Sequence, residues 1–159
     1  MTHDYYHVHE WDPKLKQVAD ELMARIYEVA PDVDILFMGA GALCLPGKND
    51  IDLDLLCPHK DIEHYAQVLT PILGIPQALK DNMAIWSYMR ENIEIDCILS
   101  DPSDPGSHVP SQKKTFERLR HSPELQQRYT QLKYDCDGLP YVEYEIKKKA
   151  FLQEVEAME

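Results

Sequence analysis

Leu15, Val18, Leu22, Ile26 and Val29 recur at helical intervals between Asp12-Pro13 and Pro31. An aspartate cap followed by proline at the first helical position fits a helix entry, and the spacing predicts one buried stripe. The pattern then changes. Ile35-Leu36-Phe37-Met38 is apolar at every position, which predicts a central strand covered on both faces. From Asp50 to Leu55 polar and apolar residues alternate, and the strand stops at Pro58. Successive side chains of a strand point to opposite faces, so Asp50, Asp52 and Asp54 share one side and Ile51, Leu53 and Leu55 the other. A helix is predicted over about 61–73, ended by Pro71 to Pro76. Met83 to Met89 and Ile93 to Leu99 read as two further strands about an Arg90-Glu91-Asn92 turn. The second of them carries Glu94 and Asp96 on one face and Ile93, Ile95 and Cys97 on the other. Asp101 to Gly106 reads as a plain loop, and helices over about 111–121, 123–135 (capped by Ser122) and 140–158 close the chain. The order predicts an α+β fold: a small mixed sheet flanked by helices, with helices at the C-terminus.

The 159 residues suffice for one domain over 1–159, with a core about 12–100 and a helical part about 107–159. The net charge of −12 argues against tracking nucleic acid by bulk electrostatics. Cys44, Cys57, Cys97 and Cys136 form no Cys-x-x-Cys pair, which fits buried thiols in a reducing compartment better than disulfides or zinc. Met1 to Tyr6 carries no basic flank or apolar run, and no stretch has the length to span a bilayer. A cytoplasmic protein with no membrane partner is expected.

Stacked carboxylates without an interleaved base repel one another and lose hydration unless a cation sits among them. A divalent metal is the obvious candidate, because hard cations take carboxylate oxygens; the plainer alternative is a wet acidic face. Phe37-Met38-Gly39-Ala40-Gly41-Ala42 precedes the acidic strand by about ten residues. It is no dinucleotide fingerprint, since Cys44 stands where the third glycine belongs and Pro46-Gly47 would break the helix. Gly47-Lys48 is no Walker A loop either, since Ala42 replaces the first glycine and Asn49 the magnesium-binding hydroxyl. What remains is a glycine turn able to bring amides close to an anion.

A glycine turn, a paired-aspartate strand and a later strand with one more aspartate resembles nucleotidyltransferases of the DNA polymerase beta superfamily. Met38-Gly39-Ala40, Asp52-Leu53-Asp54 and Asp96 carry the resemblance, with Asp50-Ile51-Asp52 as the alternative pair. The C-terminal half is similar to the GrpB family through Phe116 to Leu125, Tyr129-x-x-Leu132-Lys133 and Tyr144-x3-Lys148-x2-Phe151, over roughly 35–155. The resemblance implies transfer of a nucleotidyl group from a nucleoside triphosphate to an unidentified acceptor. Asp52, Asp54 and Asp96 would be catalytic and hold Mg2+ (or Mn2+), with Asp96 accepting a proton from the attacking hydroxyl. Gly39, Ala40 and Gly41 would offer amides to phosphates, with Lys48 and Lys148 as added cations. Ala40 departs from the serine of most relatives, and one lost charge-assisted hydrogen bond costs roughly 1.5–3 kcal/mol. That departure keeps a second expectation open: a non-catalytic nucleotide-binding or interaction module of the same fold.

Tyr144, Lys148, Phe151, Val155 and Met158 form one helical stripe, so Lys148 either snorkels to water or reaches the acidic cleft. His3, His7 and His9 have metal-like spacing in an N-terminal segment expected to be loose. Lys113, Lys114, Arg118 and Arg120 read as a solvated basic face, with Arg120 the member nearest the family-like segment. Trp11, Trp86 and Tyr88 read as packing residues rather than base-stacking platforms.

Overall fold

The structure, a computed structural model, describes residues 3–159. Asp12 caps the first helix, α1 (Lys14–Val29), its carboxylate accepting from the Lys14 amide at 2.9 Å. Leu15, Val18, Leu22 and Ile26 are buried as the periodicity requires, whereas Val29, in the last turn, is 39% exposed.

Five strands form one mixed sheet in the order β1-β2-β5-β4-β3. They are β1 (Asp34–Met38), β2 (Asp50–Leu56), β3 (Ala78–Lys80), β4 (Met83–Arg90) and β5 (Ile93–Ser100). β2 runs parallel to β5, and the other pairings are antiparallel. The α+β class and mixed sheet match the sequence expectation, with differences in detail. The apolar run of β1 predicts a central strand, yet β1 pairs only with β2 and lies at the sheet edge. Its apolar side chains serve another purpose: Ile35 and Phe37 pack on the main core, and buried Met38 reaches the cavity described below. Three-residue β3 has no period to reveal it. The β4–β5 turn shrinks to Glu91 and Asn92, both left-handed at φ +52° and +64°, which suits the twist of a two-residue hairpin.

α1 and α3 (Ile62–Val68) cover one face of the sheet around Ile51, Leu53, Leu55, Ile95, Cys97 and Leu99. The single helix expected over 61–73 arrives in pieces: a 3₁₀ turn over His59–Asp61, then α3, then α4 (Thr70–Leu73). Pro71 has no amide to donate, so the hydrogen-bond ladder is interrupted there. The glycine segment folds as a short helical turn, α2 (Gly39–Ala42), with Ala40 and Gly41 buried.

α5 (Val109–Arg120), α6 (Pro123–Asp135) and α7 (Tyr141–Ala157) gather a second core of Leu119, Leu125, Tyr129, Phe151 and Val155. Ser122 caps α6 as expected, accepting from the Leu125 amide at 3.2 Å. Arg118, read as part of a solvated basic face, instead donates to the carbonyls of Val155 (2.7 Å) and Glu156, closing the end of α7. Cys57, Cys97 and Cys136 are buried free thiols and Cys44 is an exposed one. Among the described residues no helix is long and apolar enough to cross a membrane.

The N-terminal segment is not loose. Tyr6 exchanges backbone hydrogen bonds with Leu139 (2.9 Å) and Gly138 (2.7 Å), and His9 exchanges a pair with Gly47 (2.7 and 3.0 Å). These contacts strap the helical part to the loop before β2. The Tyr6 ring lies on Tyr144 with centroids 3.6 Å apart, and Tyr6 is 1% exposed. Removing such a ring leaves a cavity at a junction, so Tyr6→Ala is expected to lower stability by about 3 kcal/mol. Urea denaturation measures this directly, and a loss below about 0.5 kcal/mol, the range of ordinary surface changes, would show that the strap carries no load.

Candidate functional site

Register between β2 and β5 builds the site. Parallel pairing sets Asp52 opposite Asp96 and Asp50 opposite Glu94, so these carboxylates share one face. One carboxylate oxygen each from Asp50, Asp52 and Asp96 lies within 4.8 Å of the other two. The glycine turn closes over them. A Cβ at Gly39, whose φ is +80°, would stand 2.7 Å from the Asp52 Oδ2, and one at Gly41 would stand 2.9 Å from the Asp50 carbonyl. These glycines therefore allow backbone and carboxylate to approach each other. Gly39 and Ala40 line the cavity, whereas Gly41 faces Trp11, whose indole donates to its carbonyl at 3.0 Å.

Asp54 does not join the cluster. It lies one alternation further along β2, with Oδ1 held by His108 Nε2 at 2.9 Å and Oδ2 buried without a hydrogen-bond partner among the described residues. The cluster thus forms on the alternative pair, Asp50 and Asp52, and not on the preferred Asp52 and Asp54: it is the Asp50 carboxylate that approaches Asp52 and Asp96, while Asp54 is turned to His108. His108 precedes α5 at the end of a stretch with no apolar period, and nothing in the sequence marked it.

The cluster is electrostatically strained. Burial, then Asp50, then Asp96 push the Asp52 carboxyl up to about 8, with Lys148 pulling the other way. Burial likewise raises Asp50, opposed by Lys48 and Lys148. Lys48 lies 3.6 Å from Asp50 and 3.9 Å from Glu94, and donates to the Tyr141 hydroxyl at 3.2 Å. Burial works against the Lys48 charge, yet Asp50, Tyr141 and Glu94 hold its pKa above the ordinary lysine value. His3 also pairs with Glu94, at 2.9 Å. His7 faces Asp137 at 3.7 Å and His9 binds through its backbone, so the three N-terminal histidines do not converge on a metal.

A cavity of about 570 Å³ opens over the aspartates. The acids come from the sheet, and Lys133 and Lys148 line the same cavity from α6 and α7. Lys148 therefore reaches the acidic cleft, its ammonium 5.9 Å from the centre of the Tyr144 ring. Lys133, seen in the sequence only as part of a family-like segment, is 2% exposed and sits 4.3 Å from the centre of the Tyr129 ring. Burial and then Lys148 push its pKa down to about 7. The sequence signal was Tyr129 four residues before it, a spacing that places both on one helix face. Arg120 instead pairs with Glu117 at 3.7 Å, and Lys113 and Lys114 are exposed; none of the three lines the cavity. Trp86 is core, its indole bonded to the Gly74 carbonyl at 2.8 Å.

Three crowded carboxylates offering hard oxygen donors to an accessible cavity, one of them held near pH 8, fit a divalent cation such as Mg2+. No family model matches the chain. It is similar to a UPF0157 protein of Vibrio cholerae, 26% identical over 152 residues that span 95% of this chain and 80% of that relative. UPF0157 is the GrpB family, so the likeness runs beyond the 35–155 stretch that carried the sequence resemblance.

An acid whose pKa is higher in the folded state binds its proton more tightly when folded. Between the unfolded value near 4 and the folded value of about 8, stability therefore falls as pH rises. Asp52→Asn removes this loss, so in EDTA at pH 8 its Tm is expected to exceed that of the parent by about 3 °C or more. The gap should close toward pH 4. Thermal scans across this range check both, and a lower Tm for Asp52→Asn at pH 8 would contradict the strained cluster.

Proposed function

We propose that the cavity is the active site of a Mg2+-dependent (or Mn2+-dependent) nucleotidyltransferase, moving a nucleotidyl group from a nucleoside triphosphate to an acceptor. The observation that carries this reading is the convergence of Asp50, Asp52 and Asp96 below a cavity lined by lysines. Asp50, Asp52 and Asp96 would hold the metal, which when bound supplies neutralisation of phosphate charge and polarisation of the P–O bond under attack. Gly39 leaves the space that Asp52 occupies. Asp96, opposite Asp52 on a central strand, would take the proton of an attacking hydroxyl. Ala40 brings no hydroxyl to the turn, so side chains would supply the polar contacts to phosphate that a serine there would have made. Lys133 and Lys148 supply cations on the helical side of the cavity. Catalysis of this kind needs positioning and charge compensation and no covalent intermediate on the protein.

A second reading rests on Lys48. Its ammonium at 3.6 Å from Asp50 is a cation built into the cluster, and together with Ala40 it favours a nucleotide-binding or interaction module that needs no metal.

Release of pyrophosphate from nucleoside triphosphates, measured with and without Mg2+ against a panel of hydroxyl acceptors, separates the two. Asp96→Asn is expected to reduce metal-dependent release at least about 100-fold while the protein stays folded. Nucleotide binding that ignores both Mg2+ and Asp96→Asn, with no release, would leave the module alone.

A further inference from the structure

Lys133 combines three properties that a purely structural lysine does not need. It is 2% exposed, its ammonium faces the cavity, and no carboxylate approaches within ion-pairing distance among the described residues. The ring of Tyr129 at 4.3 Å is its close partner, and a ring face alone compensates a buried ammonium only in part. Gly47 keeps the space around it open, since a Cβ there would stand 3.2 Å from the Lys133 Nζ. Lys148 approaches from α7 and is a like charge, each cation raising the cost of the other. Arg128 and Lys48, by contrast, have carboxylate partners at 2.8 and 3.6 Å. A methionine would fill the Lys133 position with comparable volume and no charge to bury. Two convergent cations, Lys133 buried and Lys148 half-buried, feel Asp50 and Asp52 across the cavity. Neither has an acid within ion-pairing distance among the described residues, an arrangement that leaves room for an anionic ligand between them and the sheet.

We propose that Lys133 and Lys148, backed by Tyr129 and Tyr144, form an anion subsite that takes the phosphate chain of the ligand. The chain then lies between the sheet carboxylates with their metal and the helix-borne lysines, which fixes its direction in the cavity. The proposal rests on the nucleotidyl-transfer reading for the nucleoside and the metal, but not for the anion. Because the contact is to phosphate rather than to a base, the subsite is indifferent to which nucleobase follows.

The test uses the full chain and inorganic tripolyphosphate, titrated calorimetrically in Mg2+ and in EDTA, beside thermal scans of each variant. Lys133→Met is expected to weaken tripolyphosphate binding at least about tenfold, the loss of one charge-assisted contact, while its Tm stays level or rises. Lys133→Arg is expected to retain most of the affinity. A structural lysine would move the two quantities together, with Tm falling. Should Lys133→Met prove unstable, Lys148→Met, at a partly exposed position, is judged by the same tenfold criterion. Equal binding by parent and Lys133→Met, or no binding of tripolyphosphate by the parent at millimolar concentration, overturns the subsite. Tripolyphosphate bound by a parent that transfers no nucleotide removes the reaction and leaves the subsite. Transfer that continues with Lys133→Met binding as well as the parent does the reverse.

Discussion

Parallel pairing of β2 with β5 is the constraint on which the rest depends. It fixes Asp52 against Asp96 and Asp50 against Glu94, so four acids meet on one face of two adjacent strands. Their opposite faces, Ile51, Ile95, Leu53 and Cys97, are buried in the main core. A one-residue slip would send these apolar side chains to the cavity, which makes the acidic register as firm as the core itself. Repulsion among the acids is therefore held in place by hydrophobic burial elsewhere, as strained functional sites require.

The surroundings answer that repulsion in two ways. At the outer end Lys48 pairs with Asp50 and Glu94, and His3 hydrogen-bonds Glu94, with Tyr141 as a neighbour of both Lys48 and His3. Deeper in, Lys133 and Lys148 face the cavity without touching an acid, leaving Asp52 with a carboxyl held near 8. The N-terminal strap and the Tyr6–Tyr144 stack join the helix that bears Lys148 to the loop that bears Lys48. Sheet-borne acid and helix-borne base are thus kept at a fixed spacing across the cleft, and it is this separation of charge that suits a metal-bound polyanion.

Period-two alternation made β2 and β5 legible, because it is a local property of a half-buried strand. The choice between Asp50/Asp52 and Asp52/Asp54 was not local: both pairs lie on the same face, and only distant groups separate them, with Asp96 gathering Asp50 and Asp52 while His108 holds Asp54. The edge position of β1 was hidden for a related reason. Its apolar run does not distinguish burial by neighbouring strands from burial by α1 and the cavity wall. Lys148 announced itself through an apolar stripe, whereas Lys133 sits in a helix that reads as evenly polar, and its burial comes from packing. The N-terminal strap binds mainly through backbone groups, which carry no residue-type signal.

The central claim is that Asp50, Asp52 and Asp96 share a divalent cation. Anomalous diffraction from crystals grown with Mn2+ locates that ion without any assumption about the reaction. The account predicts a single strong peak coordinated by oxygens of all three aspartates, with Asp54 still bonded to His108. A cleft without a peak, or with the ion bound elsewhere and Lys48 bridging the acids alone, would contradict it.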